Sequence, residues 1–407
     1  MIFNLTYKSI LNRKTAFLLS VFSVAISVVL LLGIERIVKT GKSHFLNTIS
    51  ETDMIVGSSN GSIEILLNLI FHIGDGLNEV EYSSYEEISK FDEIEWSVPI
   101  SVGDSFKGFD VVSTNADFFI HYQYSSGKLL EFEEGDNFND FYDVILGVHV
   151  AKKLGLKLGD KVHLSHGNSQ HVHKNRAFKV GGILKKSATP NDDLVFMQLK
   201  AGEAIHMEWQ SGYFVDMQIS SEELSNMNIQ PKQISGMLLG LKNSMQILEV
   251  EDKINHYRGE NLKAVIPAKA LTKLYKLMSS FQDVLMFISG MVFVGAIFTM
   301  LSSMFSTLNE KRREIAILRS LGASVKLIFS LFAMESFLIV LGGIVFGNIL
   351  LSVFVFYANF SLHVSYLPDF YEIVMLVVMM AIAVLASVIP AIKSYRYSLQ
   401  DGLMVKV

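Results

Sequence analysis

Four long apolar stretches limit this chain more than anything else in it, and they are unevenly spaced, with a gap from Ile37 to Ser280 between the first and the second. Thr15 to Ile34 is free of charge, and so are Val284 to Asn309 and Ile373 to Ile392; Leu327 to Phe356 carries only Glu335. Each reaches the ~20 residues that a helix needs to cross ~30 Å of hydrocarbon. A chain of 407 residues that is 50% hydrophobic and only 18% charged needs such spans to account for its bias. The expected fold is a membrane protein of four transmembrane α-helices, with a large α+β domain inserted between helices 1 and 2.

Basic residues set the expected orientation. Lys8, Arg13 and Lys14 precede the first span, five Lys and Arg lie between the second and third, and Lys393, Arg396 and Lys406 follow the fourth. The loop from Tyr357 to Glu372 has none. The positive-inside rule then puts both termini in the cytoplasm and the insert outside. The insert holds 23 of the 35 basic and 32 of the 40 acidic residues, so a positive inside faces an acidic outside. No Cys occurs, so the exported domain must fold on its own core without disulfides. The first apolar run is too long for a signal peptide, and Gly33-Ile-Glu-Arg36 offers no small-residue cleavage site, which makes it a retained anchor.

Read in order, the chain is expected to divide into an amphipathic surface helix (1–14), span 1 with a stalk (15–37), the inserted domain (38–267), a stalk running into span 2 (268–309), a charged connector (310–324), span 3 (325–356), a short outer loop (357–372), span 4 (373–392) and a tail (393–407). Within the insert, the short apolar run Ile63 to Ile73 cannot span; it reads as a core helix or as a segment leaning on the membrane or a partner subunit, with the core helix favoured. Strands are expected at Trp96 to Val102, Phe109 to Ser113 and Asp143 to His149. Lys161 to Ser165 should pair with Phe178 to Leu184 across a loop of about a dozen residues. Gly343 and Gly347 stand four apart in span 3, where small residues let helices approach closely. Glu335 is an intramembrane carboxylate. Pro390 should kink span 4 near its inner end.

The connector is the most informative stretch. In Glu310-Lys-Arg-Arg-Glu-Ile-Ala-Ile-Leu-Arg-Ser-Leu-Gly-Ala-Ser324, Ile315, Leu318 and Leu321 share one helical face, while Arg312, Arg313 and Arg319 point elsewhere. Gly322 can close the helix in the left-handed conformation. By periodicity alone this is either a grip for a soluble partner or an interfacial connector with ordinary basic flanks. The string resembles the coupling helix of the MacB/FtsX-like (type VII) ABC transporter permeases. Val150-Ala-Lys-Lys-Leu-Gly-Leu-Lys-Leu-Gly-Asp-Lys-Val162, followed by Phe178-Lys-Val-Gly-Gly-Ile-Leu184, is similar to the core of the MacB-like periplasmic domain.

The resemblance implies a permease subunit in the bacterial inner membrane that is not itself an enzyme. It would work as a homodimer or with a paralogous permease, with two copies of a cytoplasmic ABC ATPase, and a periplasmic protein partner would fit the same scheme. ATP-driven closure would move the outer domain by mechanotransmission, and Glu310, Arg312, Arg313, Ile315, Leu318, Arg319 and Gly322 would form the ATPase contact. The alternative from the same motif is an FtsX-type anchor that activates a periplasmic partner and transports nothing. No nucleic-acid partner is expected.

Motifs for chemistry are few. There is no G-x-x-x-x-G-K-[ST]; Gly41-Lys-Ser43 has Arg36 where the upstream Gly would be, so ATP would be bound through the partner. H-E-x-x-H is absent. Gly57-Ser-Ser59-Asn-Gly61 matches G-x-S-x-G, but no series of parallel strands follows to make it a nucleophile elbow. Catalytic residues are not expected. Four of the eleven histidines, His163, His166, His171 and His173, fall within eleven residues. His171 and His173 alternate and would share a strand face, with His166 across the loop, which suits Zn²⁺. A solvated polar loop has the same pattern. The loop resembles that of a permease subgroup associated with zinc-responsive operons, although Arg176 stands where that subgroup tends to have a further His; His206 could complete a site.

Overall fold

The computed structural model describes residues 6, 10, 13–58, 61–74, 78–166, 177–208, 229–308, 315, 317, 322–357 and 368–401. The chain divides into two compact units, residues 1–41 with 278–407, and residues 42–277.

The inserted domain is built on an eleven-stranded sheet. Its strands are β1 (Met54–Ser58), β2 (Ile94–Phe106), β3 (Phe109–Thr114), β4 (Phe132–Gly135), β5 (Asp143–Leu146), β6 (Lys161–Val162), β7 (Ser165–His166), β8 (Phe178–Leu184), β9 (Val195–Gln198), β10 (Gly236–Leu241) and β11 (Leu262–Val265). The order across the sheet is β11-β1-β10-β2-β3-β9-β5-β8-β4, with β7 added to β2 and β6 to β8. Pairing is antiparallel except for β9 with β3 and β8 with β5.

Period-two alternation sends neighbouring residues to opposite faces. Ile55, Val98, Ile100, Val112, Ile145, Phe196 and Leu238 meet on one face, packed against Ile65, Leu66 and Leu69 of helix α2 (Ser62–Phe71). On the other face Val111, Val144, Leu146, Val195 and Met197 form one cluster, and Met54, Val56, Ile94, Met237 and Leu239 another. Helices α3 (Tyr82–Ile88), α4 (Val148–Leu154), α5 (Leu199–Glu208) and α6 (Ile247–Asn255) cover that side. Strands β5 (DVIL) and β10 (GMLLGL) are therefore buried at every position, because both faces are sealed. The rim strand β4 differs: Glu133 and Glu134 are exposed.

Two expectations change here. Only Lys161 and Val162 pair with β8; after them the chain leaves the hairpin, and Ser165 and His166 pair with Ser105 and Asp104 of β2. Strand β2 has thirteen residues, longer than the Trp96 to Val102 expected, and its far half provides this second edge. The apolar run near Ile63 is a core helix, closed by His72 in the left-handed conformation (φ 53°).

Most of the length of the long helices lies in the other unit. Among the described residues, four helical stretches are long and apolar enough to cross a membrane: α1 (Lys14–Thr48), α7 (Pro267–Ser306), α8 (Val325–Tyr357), and α9 (Phe370–Ala386) continued by α10 (Val388–Asp401). The fourth breaks at Ser387, ahead of Pro390. Pro390 has no N–H to give, and its ring crowds the carbonyl four residues back, on Ala386. The Ser387 hydroxyl donates to the carbonyl of Val384 at 2.7 Å within the turn.

Candidate functional site

On α1, Val24, Val28 and Leu32 recur every four residues and face the bundle core. Arg36 continues that spacing and is 5% exposed. On α9 the buried positions are Glu372, Leu376, Met379 and Ala383, again one face. The two faces meet with their charges level. Arg36 Nε donates to Glu372 Oε1 at 2.9 Å, and Nη2 to Oε2 at 2.8 Å. The same Nη2 lies 3.5 Å from Asn348 Oδ1 on α8. A forked guanidinium–carboxylate pair fixes orientation as well as distance. Removing one partner of such a buried pair strands the other charge, which costs about 3–5 kcal/mol.

Three residues further along α1, Lys39 pairs with Asp369, the residue before α9. Asp369 has two tasks: its other oxygen, Oδ1, caps α9 by accepting from the Glu372 N–H at 3.0 Å. Glu35 accepts from Gln282 of α7 at 3.3 Å. Polar groups on α1 thus reach all three neighbouring long helices within a little over one turn. In the sequence this layer is hidden, since each charge lies at the edge of an apolar run. The available signal was the four-residue spacing that Arg36 and Glu372 share with the buried apolar positions.

Below this layer α8 lies against α1 through its small residues. A Cβ on Gly347 would meet Ala25 O and Val28 Cβ, both at 2.9 Å. Gly343 and Gly347 therefore serve contact within one chain. Glu335 is half-buried on α8 beside the fully buried Ser336.

Of the connector, Ile315, Ile317 and Gly322 to Ser324 are described. Ile315 is 3% exposed within the bundle core, whereas Ile317 is exposed. Gly322 has φ 88°, a conformation that favours glycine. Glu310, Arg312, Arg313, Leu318 and Arg319 lie outside the described residues, as do His171, His173 and Ser59. His166 is placed only by its backbone pairing with Asp104, and His206 only by its position on α5. Among the described residues no group of three His, Asp or Glu could hold a metal ion.

Comparison with known proteins covers both units. Residues 17–257 match the MacB-like periplasmic core domain family, and residues 286–399 match the FtsX-like permease C-terminal family. Among solved structures, the chain is similar to the periplasmic region of MacB from Actinobacillus actinomycetemcomitans, with 12% identity over 56% of this chain and 94% of that one and a TM-score of 0.36. It is also similar to the extracellular domain of the noncanonic ABC-type transporter YknZ from Gram-positive bacteria, with 13% identity over 52% of this chain and 98% of that one and a TM-score of 0.31. No curated protein matches the chain.

Proposed function

Because the chain belongs to the MacB/FtsX-like permeases of the type VII ABC transporters, we propose that a separate cytoplasmic ATPase grips the segment 310–324 and drives movement of the inserted domain. The observation that carries this reading is α7, a single helix of 40 residues from Pro267 to Ser306. At 1.5 Å per residue it is ~60 Å long, about twice what the hydrocarbon core requires. A helix that enters at one end of the connector and runs unbroken well past a span is suited to carry displacement along its axis. Ile315 supports the connector from within the bundle, leaving Arg312, Arg313, Arg319 and Leu318 for the ATPase. Both termini and the connector lie in the cytoplasm of a bacterial cell, on the distribution of Lys and Arg. Two permease chains, identical or paralogous, would work with two ATPase copies.

The test is purification from native membranes with everything that is retained. The wild-type chain should bring down an ABC ATPase, and the variant R312A/R313A/L318A should lose at least nine-tenths of it. Equal retention would remove the coupling proposal. A thiol placed in the connector of this cysteine-free chain should react only with reagents that enter the cell.

The zinc reading is carried by spacing: His166, His171 and His173, with His206, would hold Zn²⁺ on the inserted domain. Zinc titration of the purified chain, with and without H171A/H173A, tests it. Equal uptake by both would remove it.

A further inference from the structure

We propose that Arg36, Glu372 and Asn348 form a polar clamp that makes α1, α8 and α9 move as one piece at the end of the bundle where α1 runs on past Lys42; the inference rests on the coupling role above. Three features of the fold support the clamp. The pair is 5% and 3% exposed, so each charge has its partner in place of water. Its geometry is bidentate, so α9 cannot rotate about its axis without losing both bonds. The second rung, Lys39 with Asp369, repeats the pairing three residues outward, with side chains 62% and 34% exposed.

The ladder runs antiparallel, with the basic groups on α1 and the acidic groups at the start of α9. Sliding α9 by one turn would set Glu372 against Lys39 and leave the Arg36 guanidinium without its carboxylate. Apolar packing alone would tolerate small slips, because Leu32 and Leu376 are indifferent to register at that scale. A buried ion pair does not slide. It holds or it breaks, and the energy of stranding a charge penalises any intermediate position. Arg36 and Glu372 are therefore positioning residues: displacement of spans 3 and 4 is handed to α1 through them.

The chain has no cysteine, so I37C and I373C, at two exposed positions beside the pair, provide the only sites for nitroxide labels. Electron spin resonance distances are measured on the full-length chain in lipid nanodiscs. The wild-type background should give one narrow distance peak. R36Q should at least double its width, and the exchanged pair R36E/E372R should restore it. R36M/E372L, which fills the space without charge, should insert and keep the wild-type melting temperature but give the broad peak. That variant decides the matter if R36Q fails to insert. A narrow peak in R36M/E372L, or in R36Q, overturns the clamp and reduces the pair to filler. The measurement uses no ATPase, so a failed clamp leaves the retention test at segment 310–324 untouched, and a failed retention test leaves these distances unchanged.

Discussion

Gly343 of α8 lies so close to Val24 of α1 that a Cβ added to it would stand 2.5 Å from Val24 Cγ1 and 2.6 Å from Val24 Cβ. A β-branched side chain on the facing helix cannot withdraw without pushing the backbone. G343L should therefore cost about 1–3 kcal/mol by overpacking. At Gly290 and Gly295 of α7 an added Cβ meets nothing within 4 Å. There alanine should be neutral or raise stability by up to ~1 kcal/mol through helix propensity. Thermal unfolding of the purified chain in one detergent ranks the three variants.

His72 makes the inserted domain sensitive to acid. Its Nδ1 is buried without a hydrogen-bond partner, and burial pushes the imidazole from the ordinary 6.5 down to about 4. Above pH 6.5 the ring is neutral in both folded and unfolded chains, and its full contribution to stability is present. Between 6.5 and 4 the unfolded chain takes up the proton first, so stability falls as the pH falls, by on the order of 3 kcal/mol across the window. H72N keeps a residue that tolerates the left-handed cap and removes the titration. Its denaturation midpoint should vary less between pH 7 and pH 4.5 than that of the wild type.

Asp192 organises the turn ahead of β9. It is 1% exposed, and its Oδ1 accepts from the Ser187 N–H and hydroxyl, both at 2.8 Å. Oδ2 accepts from the Ala188 N–H, also at 2.8 Å. D192A leaves these donors without their acceptor and should cost about 3 kcal/mol, and D192N, which faces one amide donor with another, about 2 kcal/mol. Urea unfolding followed by far-ultraviolet circular dichroism would measure both.

Trp96 lies directly over Gly240 of the neighbouring strand, where a Cβ would sit 2.1 Å from its Nε1. The indole is stacked on His121, with ring centroids 4.9 Å apart and planes 9° from parallel. G240A should lift the indole, separate the two rings and shift the tryptophan emission to longer wavelength. The same change made in a W209F background assigns the shift, since Trp209 is the other tryptophan.

Much of this architecture was legible in the sequence, because burial leaves a periodic mark. Thr15 to Ile34 and Leu327 to Phe356 are apolar over a membrane's thickness, and Phe178 to Leu184 was bounded as the strand it is. What escaped depends on pairs distant in sequence. Nothing local in Ser165 and His166 says that they leave β8 for β2, since the partner is the far half of a strand whose length was itself underestimated. The break at Ser387 was placed at Pro390 because the ring acts on a carbonyl four residues behind it. Arg36 and Glu372 each read as the polar margin of a span, and only the fold shows that they neutralise one another.

The rim strand Phe132–Gly135 has a consequence for how copies of this protein meet. An open strand edge is a template on which a second molecule can zip, but here Glu133 and Glu134 would bring carboxylate against carboxylate along the seam. Fibrous growth by stitching head to head is thereby discouraged at this margin, and crowded neighbours in the same bilayer keep their folded heads separate there.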